Sequence, residues 1–218
     1  MFSRIAIVAA AAAIVAAFGT GSPAAAAVIY DNGGPNRDTT DEMTEWVQAE
    51  DFSVASAKTL KGAHFWTGES GAWDGTLTWW IFADNGGLPG AALATGSGIN
   101  IVKTATGNMV YSAPQYEYAF DFDNPVALTG GTTYWFGLHL SADFDLDRIG
   151  WQLTLPGLGA YGAHSHYGAF NDWIGGGGQH AFYLTDTSTI AAVPEPSNLM
   201  MLGAALLGLG AVRLRRRS

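Results

Sequence analysis

Apolar and polar positions alternate along much of the middle of this chain. Over residues 76–83, Leu77, Trp79 and Ile81 fall on one side of an extended backbone, and Thr76, Thr78, Trp80 and Phe82 fall on the other. Successive strand side chains point to opposite faces, so this pattern predicts a strand. Residues 115–122 place Tyr116, Tyr118, Phe120 and Phe122 on one face, and residues 132–140 do the same with Tyr134, Phe136, Leu138 and Leu140, opposed by Trp135 and His139. Residues 149–155 alternate as well, and residues 59–67 carry Leu60, Ala63, Phe65 and Trp66. Shorter strands are expected at 28–30, 49–54, 92–95, 99–103, 163–167 and 181–185, with Gly96-Ser97-Gly98 dividing the fourth from the third. Asp31-Asn32-Gly33-Gly34-Pro35, the run over 84–90 and the glycines at 175–178 are turn signals. Residues 37–48 are polar and acidic, with Met43, Trp46 and Val47 spaced by three and four. A short helix and an irregular loop both suit that spacing. Short strands between such turns predict an all-β domain, an antiparallel β-sandwich with jelly-roll connectivity as the first expectation.

The two ends follow other rules. Arg4 precedes an apolar core over residues 5–18, residues 19–23 break it, and Ala25-Ala26-Ala27 supplies small residues before Val28. This is the order of a secretory signal peptide, with Ala25 and Ala27 as the small residues at the cleavage site. At the other end Val193-Pro194-Glu195-Pro196-Ser197 leads into a charge-free run over 199–212, followed by Arg213, Arg215, Arg216 and Arg217. Proline keeps such a motif extended, and the arginines would hold the end on the cytoplasmic side of a bilayer. The run has 14 residues, against the ~20 of a stable spanning helix. Gly203, Gly208 and Gly210 weaken it further. A transient anchor is expected rather than a permanent one.

This tail resembles the PEP-CTERM sorting signal of Gram-negative bacteria, on Pro194, Glu195 and Pro196, the apolar stretch and the arginine cluster. The resemblance implies a C-terminal sorting helix held transiently in the inner membrane. It also implies processing near the motif by an exosortase, a transpeptidase-like membrane enzyme, and delivery to the cell surface or the extracellular matrix. Residues 29–36 and 81–90 look like parts of the domains found ahead of such tails, and no activity comes with that second likeness. The expected organisation is a signal peptide over 1–27, a β-domain over 28–186, a linker over 187–193 and the sorting signal over 194–218.

Composition sharpens this. All nineteen acidic residues lie between 28 and 196, against five basic ones there, Arg37, Lys58, Lys61, Lys103 and Arg148. A body with that excess of negative charge repels nucleic acid and anionic lipid, and no nucleic-acid partner is expected. The chain has no cysteine, so its stability must come from packing, for which it has eight Trp, eight Tyr and eleven Phe.

Candidate chemistry is sparse. If residues 143–147 are extended, Asp143, Asp145 and Asp147 point to one side, about 7 Å apart. Such oxygen ligands suit a structural Ca²⁺, and the competing reading is a solvated acidic loop. Asp121, Asp123 and Asn124 form a second short cluster. His164 and His166 share a strand face and, with Asp172 or His180, would suit a transition metal. His139 sits in an apolar strand and reads as a packed or capped histidine. No Gly-x-Ser-x-Gly, His-Glu-x-x-His or phosphate-loop motif is present. Glu50, Glu69 and Glu117 are the internal glutamates a glycosidase would draw on. Trp66, Trp73, Trp80, Trp151 and Trp173 offer either a sugar-stacking platform or core. The expected function is that of an exported, non-enzymatic surface or matrix protein that binds carbohydrate or exopolysaccharide. Its processing partners would be an exosortase-type enzyme and signal peptidase. A secreted glycan hydrolase and a purely structural surface protein are the alternatives.

Overall fold

The computed structural model describes residues 27–154, 162–176 and 178–187. Ala25, the Pro194-Glu195-Pro196 motif, the run over 199–212 and most of the expected linker lie outside them. Among the described residues no helix is long and apolar enough to cross a membrane.

Among the described residues twelve antiparallel strands make up the fold: β1 (Val28–Asp31), β2 (Pro35–Glu42), β3 (Trp46–Ser53), β4 (Lys58–Glu69), β5 (Leu77–Asp84), β6 (Pro89–Val110), β7 (Ala113–Leu128), β8 (Thr133–Leu140), β9 (Ile149–Thr154), β10 (Ala163–His166), β11 (Ile174–Gly175) and β12 (Phe182–Thr185). They form one continuous sheet in the order β1-β12-β4-β7-β6-β5-β8-β3-β10-β11. β9 pairs with the end of β4 that β12 leaves free, Thr67–Glu69, and β2 pairs with β9. The sheet curls into a half-barrel. Its two halves meet along β6, whose first part pairs with β5 up to Ser97 and whose second part pairs with β7 from Gly98.

The alternation read from the chain sets which side chains face inward. Leu77, Trp79 and Ile81 of β5, Phe136, Leu138 and Leu140 of β8, and Tyr118, Phe120 and Phe122 of β7 all enter one core. Phe65, Trp151 and Phe182 join it from β4, β9 and β12. Rings from the two halves meet directly, Trp79 against Phe122 at 4.4 Å and Phe136 against Phe182 at 5.3 Å. The outward positions of the same strands are also covered. Trp80, Phe82 and Trp135 form a second cluster with Val47, Ala49 and Ala163, roofed by Phe170 and Trp173. That explains why residues 134–140 are buried throughout. A strand covered on both sides is apolar at nearly every position, and His139 is the exception here.

Two expectations are corrected. Residues 37–48 are neither helix nor loop but the end of β2, a turn and the start of β3. Met43 is wholly buried there, and its backbone bonds to Ile149 and Leu140 hold the turn against two other strands. Residues 92–103 are not two strands but the middle of one 22-residue strand. The small residues at Gly96 and Gly98 serve close approach at the corner. A Cβ on Gly98 would lie 2.8 Å from Leu77 Cδ2 and 3.0 Å from Phe120 Cδ2.

Gly98→Ala is therefore expected to cost about 1–3 kcal/mol through overpacking. Gly96→Ala meets the carboxylate of exposed Asp123, which can swing into water, and should stay within about 0.5 kcal/mol of the parent. Urea unfolding of the two variants checks the contrast, and equal midpoints would mean that the corner is not packed as described.

Candidate functional site

At one end of the curled sheet β2 turns into β3, and the turn is built by Glu42. Its carboxylate accepts hydrogen bonds from the Thr44 N–H, the Thr44 hydroxyl and, at 3.0 Å, the Glu45 N–H. Gln48 donates through Nε2 to the Glu42 carbonyl. This local chemistry presents Trp46 at the rim. The β3–β10 register pairs Trp46 with His166 and Gln48 with His164, so these side chains share a face. His166 stacks on the Trp46 ring at 3.7 Å, and His164 meets its edge at 5.0 Å.

Two clefts share Glu42 and Trp46. The larger, about 560 Å³, is also lined by Tyr111, Phe144 and Arg148. The smaller, about 410 Å³, is lined by Asp41, Gln48, His164 and Gly176 as well. Tyr111 is 74% exposed and takes a left-handed backbone, φ 51°. A bulky residue rarely adopts that conformation.

Behind the smaller cleft lies a buried charged chain. His180 Nδ1 is 3.0 Å from Glu50 Oε2, the His180 backbone N–H donates to that same oxygen at 2.7 Å, and His180 Nε2 is 3.2 Å from Asp41 Oδ2. Burial by itself would lower the His180 pKa; hydrogen bonds and charge from Asp41 and Glu50 outweigh it and raise it from 6.5 to about 9. The imidazole carries its proton at neutral pH, between two carboxylates. Trp151 packs against the ring at 4.5 Å. Elsewhere His139 is the packed histidine expected, stacked on Tyr167 at 4.0 Å with Nε2 2.9 Å from the Thr44 carbonyl. Burial depresses its pKa.

The other sequence candidates are engaged within the fold. Glu69 is buried and accepts from the Thr67 hydroxyl and the Tyr118 phenol, each at 2.7 Å, and from Lys103. Burial and that carboxylate push the Tyr118 phenol up. Glu117 pairs with His64 at 3.0 Å. Residues 143–147 form a turn, not a strand, so the one-sided row of acids does not arise. Asp143 Oδ1 accepts from the Asp145 N–H at 3.1 Å and Asp147 Oδ1 from the Ala72 N–H at 2.8 Å. Among the described residues no three His, Asp or Glu side chains are grouped to hold a metal. Asp172 bonds Ser165, whose side chain points away from those of His164 and His166, and His180 is held by carboxylates. Of the five tryptophans considered, Trp80 and Trp151 are core, whereas Trp66, Trp73 and Trp173 are half-buried.

Comparison with family models, with curated proteins and with solved structures gives no match. The site therefore rests on its own geometry. Sequence reading missed Trp46, Tyr111 and Asp41. A tryptophan set among acids, as in Glu45-Trp46, was the one available signal.

A raised histidine pKa stabilises the fold fully below the unfolded value and loses that contribution as pH rises through the folded value. The melting temperature is expected to fall between pH 6.5 and about 9 as His180 deprotonates. The loss would be on the order of 3 kcal/mol. His180→Gln should melt lower and show no such decline, which thermal melts across that range would test.

Proposed function

We propose that this chain is an exported, non-enzymatic protein of the cell surface or extracellular matrix whose β-domain binds a glycan at the Trp46 clefts. The observation that carries the reading is the meeting of Trp46, Tyr111 and Phe144 with Glu42, Arg148 and Gln48 around two adjoining concavities. Aromatic faces with a few placed polar groups suit sugar rings. Supporting binding rather than glycan hydrolysis, Glu50, Glu69 and Glu117 are each engaged by another side chain. In this reading the two halves of the curled sheet act as the layers of a sandwich-like module.

The tail supplies the route. Signal peptidase removes the start after Ala27, and an exosortase-type enzyme reads Pro194-Glu195-Pro196 while residues 199–212 rest in the inner membrane and the arginines stop transfer. The acidic body then stays soluble outside the cytoplasm, away from nucleic acid.

Intact-mass analysis of the exported protein should give a form that begins near Val28 and lacks residues 199–217; a mature form that retains them overturns the sorting proposal. On a glycan array, Tyr111→Ala is expected to reduce retention about tenfold, ~1.4 kcal/mol, without moving the melting temperature, because the side chain lies largely in solvent. No retention of any glycan by the parent protein would overturn the binding proposal.

A further inference from the structure

The chain Glu50–His180–Asp41 runs from the interior to the wall of the smaller cleft. The Glu50 and His180 side chains are 0% and 1% exposed, whereas that of Asp41 is 31% exposed. Such a chain is a poor way to gain stability. Burying charged groups costs several kcal/mol each, and apolar side chains of the same volume usually serve as well or better. Here the cost is visible, since Glu50 Oε1 is buried with no hydrogen-bond partner. What the chain does supply is a fixed carboxylate at the surface. The imidazole is clamped between Trp151 and the backbone at Gly162, where a Cβ would lie 2.6 Å from His180 Cε1 and 3.0 Å from Glu50 Oε2. The imidazolium in turn faces Asp41 through Nε2, 3.2 Å from Oδ2. A carboxylate has about four lone-pair sites. His180 Nε2 faces the carboxylate at ion-pair distance without closing a hydrogen bond, and among the described residues the Asp41 side chain accepts no hydrogen bond.

We propose that the smaller cleft is a subsite for neutral, hydroxylated sugar residues, in which Asp41 accepts hydrogen bonds from adjacent hydroxyls and His180 and Glu50 are the positioning residues that hold it in place. This deepens the glycan-binding reading and rests on it. The chemistry of the wall selects the class. Asp41 and Glu42 together repel a uronic acid or sulfated sugar. The His180 charge offsets that of Asp41, so an amino sugar gains little. A neutral diol offers two donors to one carboxylate, a charge-assisted arrangement about twice as strong as a neutral hydrogen bond. Trp46 and His164, set edge to face, supply the ring surfaces in the cleft that a sugar can pack against. The charged groups that face His180 are Asp41 from β2 and Glu50 from β3; β9 presents Trp151, which does not titrate.

The test uses the exported protein with immobilised neutral hexose oligosaccharides and matched uronic-acid oligosaccharides. The parent is expected to retain the neutral set at least tenfold better. Asp41→Asn should lower that retention tenfold or more; it also weakens the pairing of buried His180 and should melt lower, so retention is compared at a temperature where both proteins are folded. Parent retention should fall as pH rises from 7 to 10 while the protein stays folded, and Glu50→Gln should move that fall to lower pH. Tyr111→Ala lies outside this subsite and should keep the parent's pH profile at reduced affinity. If the parent retains glycan but Asp41→Asn retains it equally, or if retention is flat from pH 7 to 10, the subsite is wrong and the wider glycan reading stands. If the parent retains no sugar at all, both fall.

Discussion

Phe136 is the contact on which the rest of the structure depends. It projects from β8 and meets Phe122 at 6.0 Å, Trp151 at 5.8 Å and Phe182 at 5.3 Å. Those partners belong to β7, β9 and β12, in the opposite half of the curled sheet. With no disulfide to tie the halves together, closure rests on these rings and their neighbours. Buried aromatics supply large area and tolerate tilted and edge-on geometries, so they can hold two twisted surfaces together without demanding one exact angle.

The charged chain depends on the same closure. Asp41 comes from β2 and His180 from just ahead of β12, both in one half, whereas Glu50 comes from β3 in the other. Trp151 contacts both Phe136 and His180. The aromatic core and the ionic chain therefore form one interface with two chemistries. The apolar part is strong and indifferent to small displacements. The ionic part contributes little net free energy but works only within hydrogen-bond distance. Placing the second at the end of the first lets a non-directional force set the position of a directional one.

Much of this was legible in the chain. The inward sets on β5, β7 and β8 follow from period-two alternation, because each strand has one face on the main core. Trp80, Phe82 and Trp135 were correctly placed on the opposite face, although nothing local says that this face is covered too. That depends on Phe170 and Trp173, which arrive from nearly 90 residues later than Phe82. The misread segments failed for a related reason. Residues 37–48 have the polarity of a loop because β2 is an edge strand with little apolar cover. Gly96-Ser97-Gly98 has the composition of a break, yet there it lets a strand pass close to its neighbours. Turn chemistry and close-approach chemistry both call for glycine, and composition does not separate them.

The site was the least legible part, and the reason lies in its construction. Glu50 and His180 are 130 residues apart, and Asp41 lies in the segment whose strand character was hidden. Each one alone reads as an ordinary polar residue near a turn. The partnership exists only after β2 docks on β9 and β12 docks on β4, strands whose Trp151 and Phe182 enter the aromatic core. Gly162 belongs to the same construction, since a side chain at that position would displace the imidazole. The aromatic core sets where the strands lie, and these few polar residues and Gly162 then decide the geometry of the cleft wall.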